Sequence, residues 1–185
     1  MTVDFEPQSE QEAAEIVRAA AERSARLKIV GGGTRGVCDG VAANAVLSTR
    51  RLSGIVSYNP AEMTMSALSG TPVSEIEAVL TERRQMLAFE PMDPRGILGA
   101  TGEPTIGGVF AANVSGPRRL SVGAARDHLL GIRFVNGEGA VIKSGGRVMK
   151  NVTGLDLVKF LAGSHGTLGL LTEVTFKVLP LPPAS

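Results

Sequence analysis

A chain of 185 residues, 43% hydrophobic and 20% charged, is long enough to bury an interior and ordinary for a globular protein. A net charge of +1, no Trp and a single Tyr argue against a nucleic-acid surface. Cys38 is the only cysteine, which excludes an internal disulfide. With only His128 and His165 beside it, no ligand set for a structural metal is apparent.

In chain order, Ser9-Glu-Gln-Glu12 has the form of a capping box, and Ala13, Ile16, Val17, Ala20 and Ala21 recur at helical spacing, predicting a helix to about Arg26. Lys28-Ile-Val30 is a short strand that runs into Gly31-Gly-Gly-Thr-Arg-Gly36. Strands at 45–48 and 55–58 complete a first αβ lobe over residues 1–57. Residues 63–69 read as extended, and Thr71-Pro72 opens a second helix with Ile76, Val79 and Leu80 on its apolar face. Residues 89–105, rich in Pro and Gly, read as irregular, and 107–113 as a short helix of small residues. Strands at 129–135 and 140–143 flank Asn136-Gly-Glu-Gly139, where Asn-Gly would supply the positive φ angles of a hairpin. His128 falls in the first of these strands on this reading, as a structural histidine. A helix at 155–162 and a strand at 172–178, with Val174, Phe176 and Val178 inward, close a second lobe over 58–179. Residues 180–185 form a stiff, proline-rich linker toward a further domain. The class is α+β in two lobes. The N-terminus is unlike a secretory signal and no apolar run reaches a membrane span, so the default address is cytoplasmic.

The 23 glycines are the unusual count, and they cluster. Gly31-Gly-Gly-Thr-Arg-Gly36 satisfies the letter of the G-x-G-x-x-G dinucleotide fingerprint but not its context: the helix precedes the strand, and Val37-Cys-Asp-Gly40 cannot open one. No Walker lysine follows either. Convergent backbone amides and the Thr34 hydroxyl could still hold a pyrophosphate as a nest; the bland alternative is a tight turn. Arg35 is either charge support for such phosphates or a solvated loop residue. A second small-residue stretch, Glu103-Pro-Thr-Ile-Gly-Gly-Val-Phe-Ala-Ala-Asn-Val-Ser-Gly116, and a third loop, Gly163-Ser-His-Gly-Thr-Leu-Gly169, have the same character. Each could be close helix packing or a turn. Together they suit a long ligand that crosses several elements.

Taken in order, Ile29-Val-Gly-Gly-Gly-Thr-Arg-Gly36, Pro104-Thr-Ile-Gly-Gly108 with Asn113 and Gly116, Val122-Gly-Ala-Ala-Arg-Asp127, Lys150-Asn-Val-Thr-Gly-Leu-Asp156 and the 163–169 loop resemble the vanillyl-alcohol oxidase (PCMH-type) FAD-binding domain over essentially the whole chain. Arg147-Val-Met-Lys-Asn-Val-Thr-Gly154 and the 164–169 loop add a narrower likeness to the E-type subunits of bacterial glycolate oxidases. The resemblance implies two αβ subdomains with non-covalently held FAD extended between them. It implies a pyrophosphate site at Val30, Gly31, Gly32, Gly33, Thr34, Arg35 and Gly36. It further implies flavin and ribityl contacts at Pro91, Thr105, Ile106, Gly107, Gly108, Ala112, Asn113 and Ser115, and an approach from the other side by Gly166, Thr167, Leu168, Gly169 and Leu170. His165 stands where many relatives have Glu and takes no role from them; the bland reading is a solvated or locally bonded histidine. The implied activity is oxidation of glycolate or a similar 2-hydroxy acid, with a D-type flavin subunit and an iron–sulfur F-type subunit as partners, peripheral to the inner membrane through them. A non-catalytic electron-relay or scaffold subunit, or another FAD-linked oxidoreductase of the superfamily, are the alternatives. No catalytic base is evident.

Overall fold

The computed structural model describes residues 4–35, 42–146 and 154–183. Gly36, Cys38 and residues 147–153, which carry part of the narrower likeness, lie outside them.

Helix α1 (Glu10–Glu22) starts at Ser9, whose Oγ accepts the Glu12 N–H at 3.1 Å. The reciprocal half of the expected capping box is displaced: the Glu12 carboxylate accepts the N–H of Gln8, at 2.8 Å, rather than that of Ser9. The helix stops short of Arg26. Ser24 turns to φ 52°, and the N–H groups of Ser24 and Ala25 bond back to the carbonyls of Ala21 and Ala20, closing the end as a Schellman motif. Strands β1 (Leu27–Val30) and β2 (Ala45–Ser48) then pair in parallel, Val30 opposite Ser48, so both end at the same edge.

The next strand, β3 (Ile55–Asn59), forms where expected but belongs elsewhere: it pairs with β4 (Thr64–Leu68) in the larger sheet rather than completing the first lobe. After α2 (Val73–Glu82), β5 (Gln85–Met86), α3 (Arg95–Leu98), α4 (Ile106–Ala111), α5 (Arg119–Val122) and α6 (Ala125–His128), the chain enters the hairpin β6 (Leu129–Val135) and β7 (Val141–Gly145). His128 ends a helix instead of lying in a strand. The hairpin's positive φ falls on Gly139, at 75°, and not on Asn136-Gly137. Asn136 Oδ1 accepts the N–H groups of Glu138 and Ala140, and Gly139 presses against α1, where a Cβ would meet the Ala14 carbonyl at 2.7 Å. Helix α7 (Leu157–Leu161) and β8 (Leu170–Lys177) follow, and the five-stranded sheet runs antiparallel in the order β3-β4-β8-β6-β7. The segment read as a linker contributes β9 (Leu179–Pro180), which pairs antiparallel with β5.

Side-chain alternation along β6 and β8 supplies two cores at once. Phe134 and Leu171 face the main core with Ile76, Leu80, Phe89, Val109, Phe110 and Phe176. Their neighbours Val135 and Leu170 point the other way, onto Ala13, Ala14 and Leu47 of α1 and β2. At about 25 cal/mol per Å² of apolar area, the second, smaller core alone is a weak basis for holding α1, β1 and β2 in place. An ion pair adds to it: Glu10 in the first turn of α1 accepts from the guanidinium of Arg133 on β6 and, at 2.5 Å, from the Thr172 hydroxyl on β8. Among the described residues no helix is long and apolar enough to cross a membrane.

His128 is 4% exposed, its ring tilted on Phe89 at a centroid distance of 5.3 Å. Nε2 lies 3.0 Å from the Val122 carbonyl, which can only accept, so Nε2 carries the proton and buried Nδ1 has no partner. Burial pushes its pKa below the ordinary histidine value, against the opposing pull of the Val122 bond. The unfolded chain therefore takes up a proton near pH ~6.5 that the folded chain refuses. Stability is fully present above that pH and falls as pH drops toward the lower folded value. The urea midpoint of the wild type should decline over this range, whereas His128→Gln, which retains a donor for Val122 and cannot protonate, should lack this component of the decline. Parallel pH profiles for the two would show that His128 carries none of it.

Candidate functional site

The site grows from the edge where β1 and β2 end together. Open crevices beyond the carboxyl ends of parallel strands are where α/β sheets bind ligands, because turns leave backbone amides unpaired there. Val30 leads into Gly31, Gly32 and Gly33, followed by buried Thr34 and half-buried Arg35. From β2, the Thr49 N–H donates to the Val30 carbonyl at 2.9 Å, and Arg50 Nη2 donates to the Gly32 carbonyl at 2.9 Å.

The opposite wall belongs to the larger sheet. Ser69, just past β4, is tied to β8 through its N–H to the Thr172 carbonyl at 2.9 Å. Its own carbonyl accepts the Gly107 N–H at 2.8 Å. Thr105 caps α4, with Oγ1 facing the Gly108 N–H at 3.4 Å. The third loop closes one side: His165 takes φ 53°, donates its N–H to the Ala111 carbonyl at 2.8 Å, and Gly166 lies against Ile29 of β1.

Most glycines of the site are needed by the protein itself. A Cβ on Gly32 would sit 1.5 Å from the Glu103 carbonyl oxygen, one on Gly31 2.3 Å from Thr105 Oγ1, and one on Gly107 2.5 Å from the Ser69 Cβ. For Gly32 the close approach is therefore backbone on backbone within the chain. Gly33 differs. It is exposed, has φ 71°, and a Cβ there would meet nothing nearer than Arg50 Nη2 at 3.7 Å.

These walls enclose a cavity of about 660 Å³, within the ordinary range for a small-molecule site. Of the residues singled out from sequence, Val30, Gly31, Gly32, Gly33, Thr34, Arg35, Thr105, Gly107, Gly108, Ala112, Gly166, Gly169 and Leu170 line it. The others do not. Ile106 is fully buried in the main core; Asn113 Oδ1 accepts the Arg126 N–H; Ser115 Oγ accepts the Ala125 N–H. The Thr167 hydroxyl donates to the Ser164 carbonyl, Leu168 is 45% exposed, and Pro91 lies off the lining. The sequence reading missed Ser48, Thr49, Arg50, Ser69 and the turn 99–102, all of which line the cavity, as does His165. Thr49 and Arg50 directly follow a predicted strand, but its parallel pairing with β1, which brings them to the site, is not written in the sequence.

The lining is electropositive. Lys28, Arg35 and Arg50 contribute to it, and no Asp or Glu of the described residues does. Arg35 Nη2 is buried without a partner, and burial lowers the guanidinium's pKa while Asp93 pulls it back up. A cation kept partly out of water with a donor unspent is costly unless an anion comes to meet it.

Residues 2–145 match the family model described as an FAD binding domain. This chain belongs to the FAD-binding domain family. The FAD-binding domain is 40% identical to glycolate oxidase subunit GlcE of Escherichia coli (strain K12), over 92% of its length and 47% of that protein's. It is 32% identical to D-2-hydroxyglutarate dehydrogenase of Xanthomonas citri pv. viticola, over 97% of its length and 37% of the other's. A solved alkyldihydroxyacetonephosphate synthase shares the fold with a TM-score of 0.73 at 25% identity, over 97% of this chain and 32% of that one. The domain thus spans about half the length, or less, of the curated relatives it matches. FAD is its cofactor, and the cavity fits one: unfilled space beside Gly33, an orphaned Arg35 donor and a lining with cations but no carboxylates suit a diphosphate.

Gly32 and Gly33 should separate on substitution. Gly32→Ala has no room beside Glu103 and should lower the melting temperature by several degrees, as expected for a loss of about 1–3 kcal/mol from overpacking. Gly33→Val strains the loop at positive φ and fills the cavity side, so its circular-dichroism spectrum should stay folded while FAD affinity falls at least tenfold. Undiminished FAD binding by Gly33→Val would show the loop to be only a turn.

Proposed function

We propose that this chain is the cofactor-holding part of a flavoenzyme that oxidises a small 2-hydroxy acid, glycolate or a close analogue such as D-lactate, to the 2-oxo acid. The observation that carries the cofactor side is the glycine-edged cavity with Arg35, Arg50 and Lys28 in its lining. The substrate class rests on the likeness to a glycolate oxidase subunit and a D-2-hydroxyglutarate dehydrogenase. Bound FAD supplies the two-electron acceptor for such chemistry.

The residues then divide the work. Gly33 and Arg35, with Gly36 beyond them, hold the diphosphate. Thr105, Gly107, Gly108 and Ala112 form the floor under the ribityl chain and ring system, with Ile106, Asn113 and Ser115 behind it fixing the shape of α4 and its following turn. Gly166, Gly169 and Leu170 cover the opposite side, and the 163–169 loop is held in place by the Ala111 carbonyl. The word subunit in the relative's name supports a multi-subunit assembly. D-type flavin and iron–sulfur F-type partners in the cytoplasm, next to the inner membrane, are the arrangement we favour. A second reading, an electron relay without its own turnover, draws on one observation: the lining offers a single imidazole, His165, and no carboxylate among the described residues to serve as a base.

Cofactor released from the purified protein should chromatograph as FAD; FMN or a nicotinamide dinucleotide would overturn the assignment. Acid precipitation should leave the yellow colour in the supernatant, since Thr34 and Arg35, which follow Gly33, cannot form the covalent bond to the flavin and His128 lies outside the lining; a fluorescent band on a denaturing gel would establish a tether, with His165 in the lining as its donor. Glycolate-dependent reduction of an artificial acceptor, measured with and without partner subunits, separates enzyme from relay.

A further inference from the structure

Arg50 has no part in the family's glycine motifs, yet its position is specific. It follows β2, parallel to β1, and so emerges at the same edge as the Gly31–Gly33 turn. Nη2 donates to the Gly32 carbonyl at 2.9 Å, and its N–H to Ser48 Oγ at 3.3 Å, so the guanidinium is held at the loop instead of swinging in solvent. The same Nη2 is the nearest group to the open side of Gly33, at 3.7 Å from where a Cβ would be, and 3.4 Å from the corresponding point on Gly102. A guanidinium has five N–H donors and only one is used on Gly32. Among the described residues no carboxylate is salt-bridged to it.

We infer that Arg50 is a second cationic arm, beside Arg35, for the cofactor's diphosphate. This rests on the FAD reading above. The bond to Gly32 sets the direction of the guanidinium before the ligand arrives, so little side-chain entropy remains to be lost on binding. The remaining donors then meet phosphate oxygens as hydrogen bonds in which both partners are ionised, whereas the backbone amides of the turn bring no charge of their own. Arg35, after the glycine turn, and Arg50, after β2, both line the cavity, so a doubly charged group there would meet two cations rather than one. A residue outside the glycine motif thereby sets a preference for a dinucleotide over an uncharged flavin.

The test is FAD titration of the apoprotein, followed by flavin fluorescence at low and high salt, for the wild type, Arg50→Gln and Arg50→Lys, with the apoprotein melting temperature of each. Arg50→Gln removes the charge and should weaken FAD about tenfold, the loss of roughly one charge-assisted bond, and flatten the salt dependence of binding. Arg50→Lys keeps the charge and should recover most of the affinity. Wild-type affinity and salt dependence in Arg50→Gln would overturn the inference, leaving Arg50 a strut for Gly32. So would equal weakening in both variants together with a lowered melting temperature, since the lost element would then be the loop's shape and not the charge. A wild-type protein that takes up no FAD would overturn the cofactor assignment itself, a result distinct from either.

Discussion

The structure depends on a place where the chain crosses itself at close range. Gly32 lies against Gly102 and Glu103, Gly31 against Thr105, and Gly107 against Ser69, each closer than a Cβ would allow. These contacts join the carboxyl edge of the small parallel pair to the start of α4 and to the end of β4. A methyl group on Gly32 would run into the Glu103 carbonyl and push the small parallel pair away from the larger lobe, in a molecule whose net stability is only about 5–15 kcal/mol. The second tie between the lobes, Glu10 with Arg133 and Thr172, meets the first through Thr172, whose carbonyl accepts the Ser69 N–H. Together they hold α1, β1 and β2 over a thin apolar layer formed by Ala13, Ala14, Leu47, Val135 and Leu170.

The cavity is what remains between these ties. Gly31, Gly32 and Gly107 line it and also form the chain crossings, and Gly33 is the residue of the glycine turn with both a left-handed backbone and open space. The charges gather at the same edge. Arg35 with its unpaired nitrogen and Arg50 fixed on Gly32 lie in a lining without carboxylates, and fixed charges of one sign in a concave, low-dielectric site raise the local potential for an anion. On the proposed reading, selection of a phosphate ester would come from where two strands stop, and the seating of a flat ring from how closely α4 approaches β4.

Much of the fold was legible in the sequence where it rests on local periodicity. The alternation that marks Val174, Phe176 and Val178 as inward is observed in β8 and just beyond it, and the helix after Ser9 begins where its cap predicts. What failed was non-local. Nothing in residues 55–59 says that this strand pairs with β4 in the larger sheet, and nothing in Leu179-Pro180 announces a partner at Gln85-Met86. The hairpin's positive φ moved from Gly137 to Gly139 because packing on α1, and not the Asn-Gly pair alone, decides which glycine has to give up its Cβ. The site shows the same division. The ordered glycine motifs located three of its walls, while the 99–102 turn, Ser69 and Arg50 belong to it only through strand pairing and loop crossings that no spacing rule reports.

Two side chains at the site hold backbone conformations that glycine would adopt more readily: Asn113 at φ 50° and His165 at φ 53°. Each such residue costs on the order of 1 kcal/mol or more and persists only where its surroundings over-determine it. Here they do so for each other. The His165 N–H is bonded to the Ala111 carbonyl, the N–H of Gly163 to the Phe110 carbonyl, and Asn113 Oδ1 takes the N–H of Arg126. The turn after α4 and the 163–169 loop are therefore one unit, anchored in the main core through Phe110 and leaning on Ile29 of the small lobe through Gly166. The cavity is lined by β1 and the end of β2 on one side and by Ser69, Thr105, Gly107 and Gly166 on the other, so a ligand bound there would favour the arrangement in which the two lobes are in register. Its binding free energy then adds to the stability of the seam, by RT ln(1 + [L]/Kd), which makes cofactor retention and the integrity of the lobe junction a single equilibrium.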